Sequence, residues 1–504
     1  MRIALAALVL IACGCASAPT NAPTSATRAH NVVIIVIDDV GCDLIGAYER
    51  HARSLGRPAG LPAPTPVIDR ELAGQGMLFT QAWSAPACTP SRARLLTGLH
   101  SRANGVGSVI KKEDDGQGQV NVGLSLACEL LPQALRASPA RYASAAVGKW
   151  HLGDARTLAQ HPHHPLGEPV GTWFGSYAGS MFNLSAPVES GRNAGYYNWE
   201  KTLSVDPARG IALPMDGKAP LVRPMRVPPA ENYPTTDTTD DALSLVRSLP
   251  EPFLLYVSYN AAHAPVHALP PLVEASFGSG FSNNLRDMVR DLDRHIGRLL
   301  AGIDAQTTTV VLVGDNGTES RGLLPPFTAE NGKGTLYESG CRVPMIVRSP
   351  LVPSHLRGRA CDALVEMNDL FATFVEFAGG TLSPSVQADS RSLAPLLRGQ
   401  TPTVRDHAYT ELFHPNFDPT QEPRVLRHSQ ALRDERYKLL RVTTREHDSL
   451  RVEEEFFDLE CRGVDTDWFE QRNLLAAPPL APDAANSLAR LRARLDAGFP
   501  ALVR

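Results

Sequence analysis

Five short runs of apolar, mostly β-branched residues punctuate the first 350 positions of this chain, and helical patterns fill the spaces between them. The first, Asn31-Val-Val-Ile-Ile-Val-Ile37, is apolar at nearly every position. Ala143–Val147, Phe253–Val257, Thr309–Val313 and Pro344–Val347 read the same way. A strand without polar alternation must be covered on both faces, the condition of a parallel sheet packed between helices. The spacing predicts a helix from Thr65, with Pro66 in its first turn, to Leu72. A longer one is predicted over 283–303, where Leu285, Met288, Val289, Leu292, Ile296, Leu299, Leu300 and Ile303 form one stripe. The expected fold is α/β, a large mostly parallel sheet sandwiched by helices. Past residue 400 the character changes. His407–Glu411, Ser429–Val442 and Glu453–Leu459 alternate like short strands, and 483–495 reads as a closing helix. This predicts a catalytic domain over 30–400 and a small C-terminal α+β subdomain over 401–504, built on an antiparallel sheet.

The residues that end the strands carry the chemistry. Asp38-Asp39 follow the first run, and Gly148-Lys149-Trp150-His151 the second. Asn260 and His263 follow the third, and Asp315-Asn316 the fourth. Ligands of open α/β sheets bind outside the carboxyl ends of the strands, so these groups would pool at one edge. A single Asp or Asn pair at a strand end is a common turn device; four polar endings together are not. Asp38, Asp39, Asp315 and Asn316 offer only oxygen donors, which select a hard cation such as Ca²⁺ or Mg²⁺.

Bulk properties narrow the class. The 504 residues hold 49 basic and 53 acidic side chains, a net charge of −4 that gives no reason to expect a nucleic-acid partner. The densest charge block, Lys111-Lys112-Glu113-Asp114-Asp115, reads as an exposed loop. At the N-terminus Arg2 precedes the apolar stretch Ile3–Ile11, and Leu10-Ile11-Ala12-Cys13 resembles a bacterial lipobox. The expectation is a lipoprotein-type signal peptide over 1–12, a flexible tether over 13–29, and a protein exported to the bacterial cell envelope. It would be periplasmic and anchored by lipid to the outer membrane; a plain signal peptide cut nearby is the alternative. Eight scattered cysteines do not make a disulfide framework. Cys42, Cys128, Cys341, Cys361 and Cys461 read as small buried apolar groups, with room for one bridged pair.

One further run stands apart: Cys88-Thr89-Pro90-Ser91-Arg92, inside A-P-A-C-T-P-S-R-A-R-L-L-T-G. By itself it could be a half-buried cysteine at a helix start, with Pro90 in the first turn and Arg92 on a solvated face. Taken with Asp38-Asp39, G-K-W-H-L-G at 148–153, His263, G-D-N-G at 314–317 and Gly332-Lys333-Gly334-Thr335, it resembles the type I sulfatase family of the alkaline phosphatase superfamily. The resemblance spans roughly residues 30 to 350. It continues loosely through Gly340-Cys341-Arg342-Val343-Pro344 and Phe456–Leu474.

The resemblance implies a sulfatase whose Cys88 is oxidised to formylglycine by a formylglycine-generating enzyme. It implies one divalent cation, usually calcium, held by Asp38, Asp39, Asp315 and Asn316 together with residue 88. Arg92, Lys149 and Lys333 would screen the sulfate oxygens. One hydroxyl of the hydrated aldehyde would attack sulfur with help from Asp315. His263, with Lys333, would protonate the leaving alkoxide, and His151 would take the second hydroxyl proton to expel sulfate.

Other polar features carry less. His161, His163 and His164 have a metal-like composition, but the prolines among them favour a loop. His267 reads as touching substrate or merely packing, and Tyr196, Tyr197 and Trp199 as a sugar-stacking wall or as core. Specificity is expected from the loops around 161–235, and the expected partner is a sulfated small molecule or glycan. Two alternatives stay open: a phosphate or phosphonate ester hydrolase of the same superfamily, and a non-catalytic sulfated-glycan binder.

Overall fold

The computed structural model describes residues 29–111, 122–185, 195–210, 221–227, 229–270, 277–447, 449–460 and 467–503. The signal segment and tether, most of the 111–115 charge block, and Cys461 lie outside them. Ten strands form the main sheet: β1 (Asn31–Ile37), β2 (Met77–Trp83), β3 (Ala143–Gly148), β4 (Ser176–Gly179), β5 (Asn198–Val205), β6 (Leu221–Arg226), β7 (Phe253–Ser258), β8 (Thr308–Gly314), β9 (Met345–Arg348) and β10 (Arg359–Glu366). Their order across the sheet is β10-β2-β9-β8-β1-β7-β3-β4-β5-β6. The central block β8-β1-β7-β3-β4 is parallel throughout.

The uniformly apolar runs are buried on both faces, as their composition requires. Along β1, Val33, Ile35 and Ile37 enter one core, whereas Val32, Ile34 and Val36 enter the other. Helices α1 (Gly46–Ser54), α2 (Cys88–Thr97), α3 (Pro234–Ser248), α4 (Phe281–Ala301) and α5 (Asp369–Phe377) supply the cover. The α4 stripe from Leu285 to Leu300 packs on the first core, and Ala93, Leu95 and Leu96 of α2 pack on the second.

Three details depart from the sequence reading. Pro344–Val347 corresponds to β9, which runs antiparallel between β2 and β8, so the sheet is mixed at that edge. The helix after Pro66 winds as a π-helix over Ile68–Ala73, its first turn held by Asp293, whose carboxylate accepts from the Val67 and Ile68 amides. Strand β2, which leads to Cys88, has no apolar run as clear as the others, since Thr80 and Gln81 interrupt it.

The C-terminal part is a four-stranded antiparallel sheet, β11 (Ala408–His414), β12 (Arg427–Arg433), β13 (Tyr437–Glu446) and β14 (Ser449–Asp458), joined in sequence order. One face takes helix α6 (Pro482–Gly498) through Leu488, Leu491 and Leu495. The other face meets Trp83 and Leu364 at the edge of the main sheet through Ala431, Leu440 and Phe457. Cys42, Cys88, Cys128, Cys341 and Cys361 are all free thiols. Among the described residues no helix is long and apolar enough to cross a membrane.

Candidate active site

Register explains why the polar strand ends meet. Ile37 of β1 is paired with Gly314 of β8, and Gly148 of β3 with Ser258 of β7, so the strands finish at one level. The chain beyond them stays stitched: the Asp315 amide donates to the Ile37 carbonyl at 3.1 Å, and the Lys149 amide to the Ser258 carbonyl at 2.8 Å. Gly148 makes the second contact possible. Its φ is 88°, and a Cβ there would lie 1.9 Å from the Ser258 oxygen. Asp39 and His151 also hold left-handed backbone, with φ of 59° and 56°. Such conformations in residues bearing a Cβ cluster at functional sites.

Cys88 opens α2 at this edge and is 1% exposed. One turn on, the fully buried Arg92 guanidinium donates to Ser258 Oγ, to the Lys149 carbonyl at 3.1 Å and to Asp315 Oδ2 at 2.8 Å, with Asp38 Oδ2 at 3.4 Å. Lys149 is paired with Asp38. Lys333 comes from the loop after β8. Its own amide donates to Thr318 O at 2.9 Å, and the Gly334 amide donates to Pro86 O at 2.7 Å. Its ammonium reaches Asp39 Oδ1 at 2.6 Å and the Cys88 sulfur at 3.3 Å.

The two histidines differ in state. His263 donates from Nδ1 to the Ala264 carbonyl at 2.7 Å, which leaves Nε2 facing Asp39 Oδ2 at 3.8 Å. Burial opposes its charge, but Asp39 outweighs that and raises its pKa. His151 donates from Nε2 to the Ile110 carbonyl at 2.8 Å, so Nδ1 carries the lone pair and lies 3.4 Å from Thr89 Oγ1. Burial, then the Lys149 charge, keeps this ring well below the ordinary histidine range and hence neutral. One imidazole is set as a proton donor and the other as an acceptor.

The remaining groups are polarised in the same manner. Burial would raise the Cys88 thiol, yet Lys149 and Lys333 bring it down to about 7. Burial would likewise raise Asp38; Lys149, His263, Arg92 and Lys333 instead hold it far below the carboxylate range. Asp315, behind it, is pushed well up by burial and by the Asp38 charge.

The oxygen donors of Asp38, Asp39 and Asn316 fit a hard cation. Oxygens of Asp38 and Asp39, the Cys88 sulfur and a ring nitrogen of His263 all lie within 4.8 Å of one another, the one such group of His, Cys, Asp and Glu among the described residues. Asp38 Oδ1 and Asn316 Oδ1 are buried without a hydrogen-bond partner. The Asn316 amide nitrogen donates to Asp39 Oδ1 and to the Gly317 carbonyl, both at 2.9 Å, which leaves its oxygen for another Lewis acid. The structure therefore gathers Asp38, Asp39, Cys88, Arg92, Lys149, His151, His263, Asp315, Asn316 and Lys333 at one sheet edge.

Other sequence readings resolve differently. Tyr196 and Trp199 are core residues, each 1% exposed, and so cannot stack on a sugar; Tyr197 lies on the surface. The Tyr196 phenol and Trp199 indole hydrogens find backbone carbonyls, which lets those two side chains be buried whole. His267 packs on Tyr196 with ring centres 4.4 Å apart. His164 is buried and accepts from Trp150 Nε1 at 2.9 Å, bracing the G-K-W-H segment from behind. Ser258, which receives Arg92, had no signal in the sequence beyond its place at a strand end. A cavity of about 420 Å³ lies among Tyr48, Arg57, Phe327, Arg342 and Trp468, and no site residue lines it.

The sulfatase family profile matches residues 30–380, and that of the N-sulphoglucosamine sulphohydrolase C-terminal region matches 331–482. Human N-acetylgalactosamine-6-sulfatase is 30% identical over 397 residues, covering 75% of this chain and 67% of that protein. Arylsulfatase G of Mus musculus is 28% identical over 438 residues, 82% and 76% of the two chains. Among solved structures, a sulfatase of Pseudoalteromonas sp. superposes with a TM-score of 0.62 at 20% identity, over 94% of this chain and 92% of its own. A protein solved with its substrate D-glucosamine-2-N,6-O-disulfate also scores 0.62, at 18% identity over 94% and 99%. At these identities the structural likeness speaks to the fold alone.

Proposed function

The chain belongs to the sulfatase family of sulfuric ester hydrolases, and from that premise we propose that it cleaves a sulfate monoester at Cys88, converted to formylglycine, with one divalent cation alongside. One observation carries this reading: the Cys88 sulfur, at the first turn of α2, touches Lys333 at 3.3 Å within ligand reach of Asp38, Asp39 and His263. Asp38, Asp39, Asp315 and Asn316 would hold calcium or magnesium. The hydrated aldehyde would supply a nucleophile with a second hydroxyl, and the cation would add positive charge for the sulfate oxygens.

The encoded side chains divide the remaining work. Lys149 and Lys333 offer ammonium groups to a bound anion, and Asp38 and Asp39 keep them aimed. Arg92 braces Asp315 and the Lys149 backbone beneath the site. His263 presents its Nε2 proton to the leaving alkoxide. His151, neutral and locked through Ile110, accepts a proton at Nδ1 when sulfate departs. The names of the curated relatives support a sulfated carbohydrate as substrate, with aryl sulfates as reporter substrates.

The test is release of inorganic sulfate from a panel of sulfated mono- and disaccharides beside an aryl sulfate, with mass spectrometry of the peptide holding residue 88. Active protein with an intact thiol there, or faster release of phosphate from phosphate esters, would overturn the proposal. Export with lipid attachment at Cys13 is part of the same proposal, supported by Leu10-Ile11-Ala12-Cys13; mass analysis of the mature N-terminus checks it.

A further inference from the structure

We infer that Tyr196 is a positioning residue for His263, holding the backbone that aims the proposed general acid; the inference rests on the acid role given to His263 above. Tyr196 enters from the turn before β5, where Gly195 bridges to Asn198. Its hydroxyl lies 2.6 Å from the Asn260 carbonyl and 2.9 Å from the His263 carbonyl. A phenol has one proton, so a single donor is shared by the two ends of the segment Asn260–His263.

That segment is held from two sides. On the β1 side the Ala262 amide donates to the Asp38 carbonyl at 2.7 Å, and the Asp38 amide to the Ala261 carbonyl at 3.1 Å. On the far side the Tyr196 hydroxyl meets both end carbonyls. Its ring is fixed in turn, with its centre 5.7 Å from Tyr233 and 4.4 Å from His267. Tyr233 Oη donates to His267 Nε2 at 3.2 Å, and His267 Nδ1 donates to Pro265 O at 2.8 Å. The His263 ring has one hydrogen bond to the main chain, Nδ1 to the next carbonyl along, and its other hydrogen-bond partner is the Cys88 side chain. The position of Nε2 therefore depends on the main chain, which Asp38 holds from one side and Tyr196 from the other.

Loss of the hydroxyl with the ring retained should misplace the proton donor without emptying the core. The cost falls where proton transfer matters most, on substrates whose leaving alkoxide is basic. The experiment is kcat/KM for wild type, Tyr196→Phe, Tyr233→Phe and His263→Ala across sulfate esters of graded leaving-group basicity, with melting temperatures alongside. Tyr196→Phe should lose about tenfold on alkyl or sugar sulfates and about twofold or less on 4-nitrophenyl sulfate. Its slope should lie between wild type and His263→Ala. Tyr233→Phe deletes a hydroxyl of the same aromatic cluster that meets His267 and Thr235 and neither the Asn260 nor the His263 carbonyl; it should keep the wild-type slope. Tyr196→Leu supplies a second slope that should be at least as steep as that of Tyr196→Phe. A uniform loss across the series in Tyr196→Phe, with a steepened slope in His263→Ala, overturns this inference alone. A wild-type slope in His263→Ala overturns the acid assignment itself, and this inference with it.

Discussion

The Lys333 ammonium donates to the Cys88 sulfur at 3.3 Å while it grips Asp39 Oδ1 at 2.6 Å. One flexible side chain thus joins the nucleophile position to the proposed cation site. With Lys149 it also lowers the thiol to about 7. A serine has no comparable response, and its alkoxide cannot shed sulfate through a second hydroxyl. Cys88→Ser made in the same host should therefore lose at least about a thousandfold in kcat on an aryl sulfate. Full retained activity would remove formylglycine from the proposal.

The partnerless oxygens of Asp38 and Asn316 give the cation its test. Chelation should abolish turnover, and calcium or magnesium should restore it. Asn316→Ala deletes one of those oxygens together with the donor to Asp39. Its calcium affinity by titration calorimetry should fall by about tenfold or more. Stoichiometric zinc in the purified protein, without calcium or magnesium, would reverse the assignment.

The histidines should fail at different stages. His263→Ala should be most impaired on basic leaving groups and least on activated aryl sulfates, since a good leaving group needs little protonation. His151→Ala should release one equivalent of alcohol in a burst and then stall, with a mass gain on the peptide holding residue 88. Identical leaving-group slopes and no burst in either variant would contradict the division of labour.

Helix α2 also has a reverse side, and it predicts a pH effect on stability. There Arg94 and His100 meet Glu366 at 2.8 and 2.7 Å, with Asp389 3.2 Å from the His100 ring. Burial opposes charge on His100, but Glu366 and then Asp389 raise its pKa to about 9. A histidine with a raised folded-state pKa contributes stability in full below its unfolded value of 6.5, and loses it as pH climbs through about 9. The contribution is on the order of 3 kcal/mol at most. Urea midpoints should fall between pH 6.5 and 9.5 in wild type, and His100→Gln should flatten that decline. Equal slopes in the two proteins would refute it.

The parts of this fold that were legible from the residues are those with local signatures. Continuous apolar runs mark strands covered on both faces, and carboxylate, lysine or amide endings mark the edge where ligands gather. Contacts between distant segments left no such trace. Ser258 meets Arg92 across 166 positions and Tyr196 meets Asn260 across 64, so neither role is written in neighbouring residues. Aromatic residues at 196, 197 and 199 look alike in a list; burial alone separates the two inside from the one outside. Strand β2 escaped because Thr80 and Gln81 serve distant segments: Thr80 donates to Asp362 at 2.6 Å and Gln81 accepts from Arg433 at 3.0 Å.

Every residue of α2 is buried. A protein-sized catalyst cannot reach a side chain that is 1% exposed at the head of such a helix. The proposed conversion of the Cys88 thiol by a second enzyme would therefore belong to the interval before the chain closes around it. Under that proposal folding would act as a deadline: each molecule that closed early would be compact yet silent. The specific activity of a preparation would report a race between two rates in the producing cell, and slower folding at lower temperature would raise it without any change in sequence.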